Sequence, residues 1–190
     1  RLNDIFKLVK RFKKTKPSKP IILMGYYQMI FNYGEKKFIQ KCKASGVDGL
    51  IVVDLSFPDN KNFAKLCKKN SICFVQLIAP TTTVKRMKEI IKNSHEMIYM
   101  ISTISTTGSA LKYSIKRIIK NYNVIKKIKP SKNVVIGFGI TEKTISNLRS
   151  ADGLVVGSAI CREITRSLKD RQNPVTNVSK LVRKLKNKII

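Results

Sequence analysis

Tryptophan is absent from this 190-residue chain, histidine occurs once, and only 11 acidic residues stand against 39 lysines and arginines. Each scarcity excludes something. The lone His95 and the cysteines at 42, 67, 73 and 161 form no CxxC pair and no metal-ligand spacing, so a metal centre is not expected. Four unpaired thiols point instead to a reducing cytosol, hence a cytoplasmic protein. His95, just before an apolar run, is expected to cap it or to face solvent. No apolar stretch approaches the ~20 residues of a membrane span, and the N-terminus has no signal-peptide core. With no linker or low-complexity block, residues 1–190 read as a single domain. The net charge of +28 would ordinarily suggest a nucleic-acid partner. Here the lysines are scattered over every helical segment and no aromatic residues interleave with them as stacking platforms, so no nucleic acid is expected. The denser basic stretch over 163–190 reads as a C-terminal helix.

What is abundant is a repeating unit. Runs of Ile, Val and Leu at 21–25, 49–53, 72–78, 97–101, 134–137 and 154–156 are each followed by a segment of helical period with lysine on its outer face. The runs are near-continuous rather than alternating, as for parallel strands covered by helices. Leu2, Ile5, Phe6, Val9 and Phe12 give an opening helix, ended by Pro17 and Pro20. The expected fold is an α/β TIM (β/α)8 barrel of which about six βα units are present. Such a barrel takes typically ~250 residues; the expectation is a barrel lacking its first two strands.

In such a barrel the chemistry lies at the C-terminal ends of the strands. Asn133-Val-Val-Ile-Gly-Phe-Gly139 and Asp152-Gly-Leu-Val-Val-Gly-Ser-Ala159 both end in glycine, which lets backbone N–H groups approach an anion, and a helix N-terminus beyond adds its dipole. Asp54, after the run 50–53, reads as an acid/base or orienting carboxylate, or as an Asx-turn or cap for the next helix. The small polar loop Ser105-Thr-Thr-Gly-Ser109 could close over a ligand.

Taken in order, Met24-Gly-Tyr-Tyr27 with Phe31-Asn-Tyr-Gly34, Val47-Asp-Gly-Leu-Ile-Val-Val-Asp-Leu55, Ala79-Pro-Thr-Thr-Thr83, Thr107-Gly108, Gly137-Phe-Gly-Ile140 and Asp152-Gly-Leu-Val-Val-Gly-Ser-Ala159 resemble the tryptophan synthase alpha chain over about residues 1–165. The resemblance implies a lyase that splits indole-3-glycerol phosphate into indole and glyceraldehyde 3-phosphate. It implies a pyridoxal-phosphate-dependent beta chain as partner, in an alpha2beta2 assembly, and no cofactor in this chain. Carried over by position, Gly108, Gly139, Gly157 and Ser158 would hold the phosphate. Tyr26, Tyr99 and Phe138 would line the indole and glycerol pocket, Thr107 would belong to a closing loop, and Asp54 would orient neighbouring loops.

The departures bear on activity. The family's catalytic glutamate and aspartate would lie upstream of residue 1, so no catalytic residue is expected within these 190 residues. Gln28 and Ser56 replace the usual Asn and Pro in loops that face the beta chain, Ser105 replaces a common Gly, and the segment between Gly139 and Asp152 is about two residues short, which predicts a trimmed helix. The competing reading is a non-catalytic relic that binds the beta chain or a phosphate ligand. Other phosphate-binding barrels, such as indole-glycerol-phosphate synthase or a ribulose-phosphate epimerase, lack support in the Lys or His patterns here.

Overall fold

The computed structural model describes residues 1–102, 115–137, 139–142 and 144–189. Seven strands and eight α-helices occur among them. In chain order they are α1 (Leu2–Thr15), β1 (Ile22–Gly25), α2 (Tyr27–Tyr33), α3 (Glu35–Ser45), β2 (Gly49–Val52), α4 (Lys61–Lys69), β3 (Cys73–Phe74), β4 (Gln76–Ile78), α5 (Val84–Asn93), β5 (Met97–Ile101), α6 (Ile115–Ile128), β6 (Asn133–Gly137), β7 (Gly153–Val155), α7 (Ser158–Lys169) and α8 (Pro174–Asn187). The strands form one sheet in the order β1-β2-β3 and another in the order β4-β5-β6-β7. The run 72–78, expected as one strand, is therefore two, interrupted at Val75, because its halves belong to different sheets. Strand β1 pairs parallel with β2, β2 with β3, and β6 with β7.

Two compact units divide the contacts, 1–77 with 89–98, and 78–88 with 99–190. In the first unit β2 is buried along its whole length, and Phe6, Phe38, Ile39, Leu50, Phe63 and Phe74 pack about it. Phe63 meets Phe74 edge-on at 5.7 Å between ring centroids, the arrangement that aligns a ring's positive edge with its neighbour's negative face. Helix α1 buries Phe6 and Val9 and leaves Ile5, Leu8 and Phe12 exposed, so only half of its apolar face is in use. Cys42 and Cys67 are buried in this core, and burial pushes both thiols up to about 12, which keeps them protonated at neutral pH. His95 neither caps its strand nor simply faces solvent. Its Nδ1 accepts the Phe74 N–H at 2.9 Å and anchors β3.

A lysine–aspartate clamp fixes the start of a strand pair in each unit. Lys13 reaches the Asp48 carboxylate at 2.7 Å and the Lys19 carbonyl at 2.9 Å, while Asp48 accepts the Ile21 N–H. In the second unit Lys126 reaches Asp152 at 3.0 Å and the Lys132 carbonyl at 3.0 Å, while Asp152 accepts the Val134 N–H at 2.8 Å. The spacing is the same in both: the lysine precedes the amide by eight residues (13 to 21, 126 to 134) and the carbonyl precedes it by two (19 to 21, 132 to 134). Each aspartate is followed by a glycine with no room for a side chain. A Cβ on Gly49 would lie 2.9 Å from the Cys73 carbonyl, and one on Gly153 would lie 3.0 Å from Val135 Cγ1. The repeated Asp-Gly-Leu at 48–50 and 152–154 is thus an assembly device: a charged residue satisfies the neighbouring strand's first donor, and a glycine lets that strand come close.

The basic stretch over 163–190 is not one helix. Helix α7 stops at Lys169 and α8 starts at Pro174, and the turn between them carries Arg171 at φ 52°. Asn173 caps α8 by accepting the Val175 and Thr176 N–H groups, and proline fills the first helical position, where no donor is needed. Asn173→Ala is expected to cost about 1 kcal/mol, measurable as a lowered midpoint in urea, whereas Asn173→Gly should cost only a few tenths. Among the described residues between Gly139 and Asp152, the helical element is a 3-10 turn at Ile145–Leu148.

Candidate functional site

In the second unit the register of β6 and β7 sets Gly137 beside Val155. Two residues beyond each of these lie Gly139 and Gly157, so the glycine ends recognised in the sequence emerge from adjacent strands. Gly139 has φ +67°, a left-handed conformation in which a side chain would be strained, and this is why glycine is needed there. Gly157 is the N-cap of α7 and has open space where a Cβ would stand. Ser158 begins the helix, and its N-cap, being glycine, brings no side chain to cap that end. The first N–H groups of a helix lack intrahelical acceptors, and the partial positive charge at that end favours an anion.

Tyr99 closes the other side of β6. It is only 5% exposed, and burial pushes its phenol up to about 12, so the hydroxyl stays protonated at any physiological pH. The ring lies against Gly137 so closely that a Cβ there would stand 1.8 Å from Tyr99 Oη. Ser102, one residue past β5, is fully buried and donates through Oγ to the Gly137 carbonyl at 2.7 Å. After the turn, Thr144 Oγ1 accepts the Thr141 N–H at 3.0 Å and reaches the Gly139 carbonyl at 3.4 Å.

A wide cavity of about 660 Å³ borders α7, lined by Thr141, Glu142, Arg162, Glu163, Arg166 and Lys188 among others. Its charges pair with near neighbours. Arg166 meets Glu163 at 2.8 Å, and Glu142 meets Lys184 at 2.7 Å. This is a solvated surface groove, unlike the glycine-lined strand ends.

The first unit carries Tyr26 and Asp54. Tyr26 follows β1 and is 59% exposed, as the N-cap of α2. Asp54, just after β2, accepts the Tyr27 N–H at 2.6 Å. It caps neither its own turn nor the helix that follows. It caps α2, the helix of the preceding βα unit, and so ties the loop after β2 to the loop after β1. The far end of the Asp54 loop is held by Asn60, which is buried and donates to Gln76 Oε1 at 2.8 Å and to the Leu55 carbonyl at 3.2 Å. Thr107, Gly108 and Phe138, expected in the phosphate grip, the closing loop and the pocket wall, lie outside the described residues.

Sequence reasoning singled out the glycines and the strand-end position of Ser102 beside Tyr99, but not the contact by which Ser102 holds Gly137. Ser102 and Thr144 look like ordinary loop hydroxyls, and only their contacts distinguish them. Asp152 was visible as the start of a motif, but its partners Lys126, Tyr122 and Val134 lie 18 to 30 residues away. The duplicated Asp-Gly-Leu was the signal that could have found it. Among the described residues no group of three or more His, Cys, Asp or Glu could hold a metal ion, and no helix is long and apolar enough to cross a membrane.

Comparison with known proteins places this geometry. The family model for the tryptophan synthase alpha chain matches residues 1–190. The alpha chain of Pelagibacter ubique is 62% identical over 189 residues, covering all of this chain and 71% of that one. The alpha chain of Aquifex aeolicus is 35% identical, with 98% of this chain and 69% of the relative covered. Among solved structures, the tryptophan synthase alpha subunit of Legionella pneumophila superposes with a TM-score of 0.86 at 27% identity, over 98% of this chain and 69% of that one. A structure of the tryptophan synthase α2β2 complex from Pyrococcus furiosus gives a TM-score of 0.79 at 32% identity, over 97% and 72%. The chain belongs to the tryptophan synthase alpha chain family, lyases of tryptophan biosynthesis built on the TIM-barrel fold.

Proposed function

We propose that this chain supplies the substrate grip of the alpha reaction, the retro-aldol cleavage of indole-3-glycerol phosphate, and hands indole to a pyridoxal-phosphate-dependent beta chain in the cytoplasm. The observation that carries the reading is the pair of strands β6 and β7, lying side by side and each followed by glycine, with Gly157 as the N-cap of α7. The phosphate of the substrate would accept N–H groups at Gly139 and Gly157 and both the N–H and the hydroxyl of Ser158, with Gly108 completing the grip. Tyr99, Tyr26 and Phe138 would line the pocket for the indole and the glycerol chain, and Thr107 would close over it.

In the cleavage, the bond between indole C3 and the adjacent glycerol carbon breaks as the hydroxyl on that carbon loses its proton and the carbon becomes the aldehyde of glyceraldehyde 3-phosphate. The electron pair left on the indole is quenched by a proton at C3. The reaction therefore needs one acid and one base. Asp54 is not assigned to either role, because its Oδ1 is already committed to the Tyr27 N–H. It acts instead as an orienting group. No other carboxylate stands at these strand ends among the described residues, so the chain's own contribution is binding and orientation.

Exposed apolar side chains on α2 favour a beta-chain partner. Met29 is 52% and Phe31 62% exposed, beside Gln28, and large apolar groups at a surface are most readily explained by a protein that covers them. The test is indole release from indole-3-glycerol phosphate with and without beta chain. Release stimulated by the beta chain is expected only where the family's glutamate and aspartate are present together with residues 1–190, and there Ser158→Ala should raise KM about three- to tenfold through the lost hydroxyl contact to the phosphate. No indole under either condition, with beta-chain binding intact, would instead establish a non-catalytic partner.

A further inference from the structure

We propose that Ser102 is a positioning residue for the anion-binding turn after β6, where it holds the Gly137 carbonyl turned away from the ligand. The inference rests on reading Gly139, Gly157 and Ser158 as a phosphate cradle. Two donors of one residue converge on one oxygen: the Ser102 hydroxyl at 2.7 Å and the Ser102 backbone N–H at 3.0 Å both point at the Gly137 carbonyl. A carbonyl oxygen has two lone pairs, and here both are taken. The hydroxyl is fully buried, so the bond is shielded from competing water.

The need for such a lock follows from the glycines. An anion cradle works by presenting N–H groups inward, and a single rotated peptide would present a carbonyl oxygen to the phosphate instead. Glycine is the residue least restricted in such a rotation, and the chain has it at the last residue of β6, Gly137, and again at Gly139. The same glycines that allow close approach thus leave the turn free to invert. Ser102 removes that freedom at the first carbonyl. Thr144 does so more weakly at the second, where its one hydroxyl proton is shared between the Gly139 carbonyl at 3.4 Å, the Thr141 carbonyl at 3.4 Å and Thr141 Oγ1 at 3.2 Å. The Ser102 hydroxyl acts through the backbone it holds.

The experiment is calorimetric titration of inorganic phosphate into the chain and its variants. Ser102→Ala keeps the backbone N–H contact and removes one oxygen. It is expected to weaken phosphate binding about three- to tenfold while leaving the binding of indole, which carries no phosphate, within twofold. Ser102→Thr, which restores the hydroxyl, should return phosphate affinity to within twofold. Asn177→Ala serves as control, because it deletes the bond to Ser167 at 3.0 Å in the α7–α8 pair and lowers Tm without addressing the turn.

Phosphate affinity unchanged in Ser102→Ala while Ser158→Ala weakens it would overturn the proposal and leave the cradle reading standing. An equal loss in Asn177→Ala at matched Tm would also overturn it, as a mere stability effect. Absence of phosphate binding in the unaltered chain would overturn cradle and proposal together. Should Ser102→Ala not fold, Thr144→Val decides: a two- to threefold loss is expected on the same scale, and unchanged affinity refutes the lock.

Discussion

Gly137→Ala is expected to destabilise the chain by about 3 kcal/mol and to abolish phosphate binding, the largest effect of any single methyl group here. A methyl at this position would lie 1.8 Å from Tyr99 Oη, 2.3 Å from Cζ and 2.9 Å from Cε1. Neither group can yield easily, since Tyr99 is packed in the core and Gly137 is held by Ser102. The three distances also predict which second change rescues. Tyr99→Phe removes only Oη and leaves the ring carbon at 2.3 Å, so the double variant should remain as unstable as Gly137→Ala alone. Tyr99→Ala removes all three atoms. By itself it should cost about 3 to 5 kcal/mol, the usual loss on truncating a buried ring. Combined with Gly137→Ala it should cost less than the sum of the two, because the methyl enters the space the ring vacates. Urea unfolding of the four proteins measures the coupling directly. Additive costs would mean that the strand end shifts as a whole, and the close approach would not be what dictates glycine at 137.

Asp152 gives the second large effect. Its carboxylate takes the Val134 N–H at 2.8 Å, Lys126 at 3.0 Å and the Tyr122 hydroxyl at 3.2 Å, binding the start of β6, the start of β7 and helix α6 at one point. Asp152→Ala leaves a strand-end donor and a half-buried ammonium without their partner. The expected cost is about 2 kcal/mol, the range for hydrogen bonds to a charged group after allowance for partial screening by solvent. Asp48→Ala should cost less: its carboxylate is 45% exposed against 27% for Asp152, and it has no tyrosine partner.

The clamp also sets an acid limit. Burial works against the Asp152 carboxylate, but the Val134 N–H, the Lys126 ammonium and the Tyr122 hydroxyl outweigh it and hold its pKa below the ordinary value. A carboxyl whose folded pKa is depressed binds its proton more readily in the unfolded chain. Its contribution is therefore complete above the unfolded value of about 3.9 and is lost as pH falls below it, through the folded value. Stability measured from pH 6 down to pH 2 should fall less steeply below about pH 4 in Asp152→Asn than in the unaltered chain. Parallel curves would remove Asp152 as a source of acid lability.

These effects mark how far the sequence could be read. The strands were legible because each is a run of branched apolar residues, and the candidate cradle because two runs end in glycine. The opening helix was legible from its apolar spacing and from Pro17 and Pro20 beyond it. Two boundaries failed for different reasons. The run 72–78 looks uniform, and nothing local says that Cys73–Phe74 and Gln76–Ile78 belong to different sheets. The basic tail was read by its charge, which hid the Asn173-Pro174 pair, a local signal for the start of α8.

The sequence by itself determined the βα repeat, the family and the positions of the glycines, because apolar runs, turn residues and ordered motifs are local properties. Tertiary structure decided what those positions do. Only the folded chain brings Tyr99 against Gly137, Ser102 to the Gly137 carbonyl, Asp54 to the N-terminus of α2, and Lys126 to Asp152. These partners are 26 to 38 residues apart, and a hydroxyl or carboxylate carries no mark in the sequence of the donor or acceptor it will meet. That choice is made when strands align, since each buried polar group must then find a partner within about 3 Å or leave its desolvation cost unrecovered.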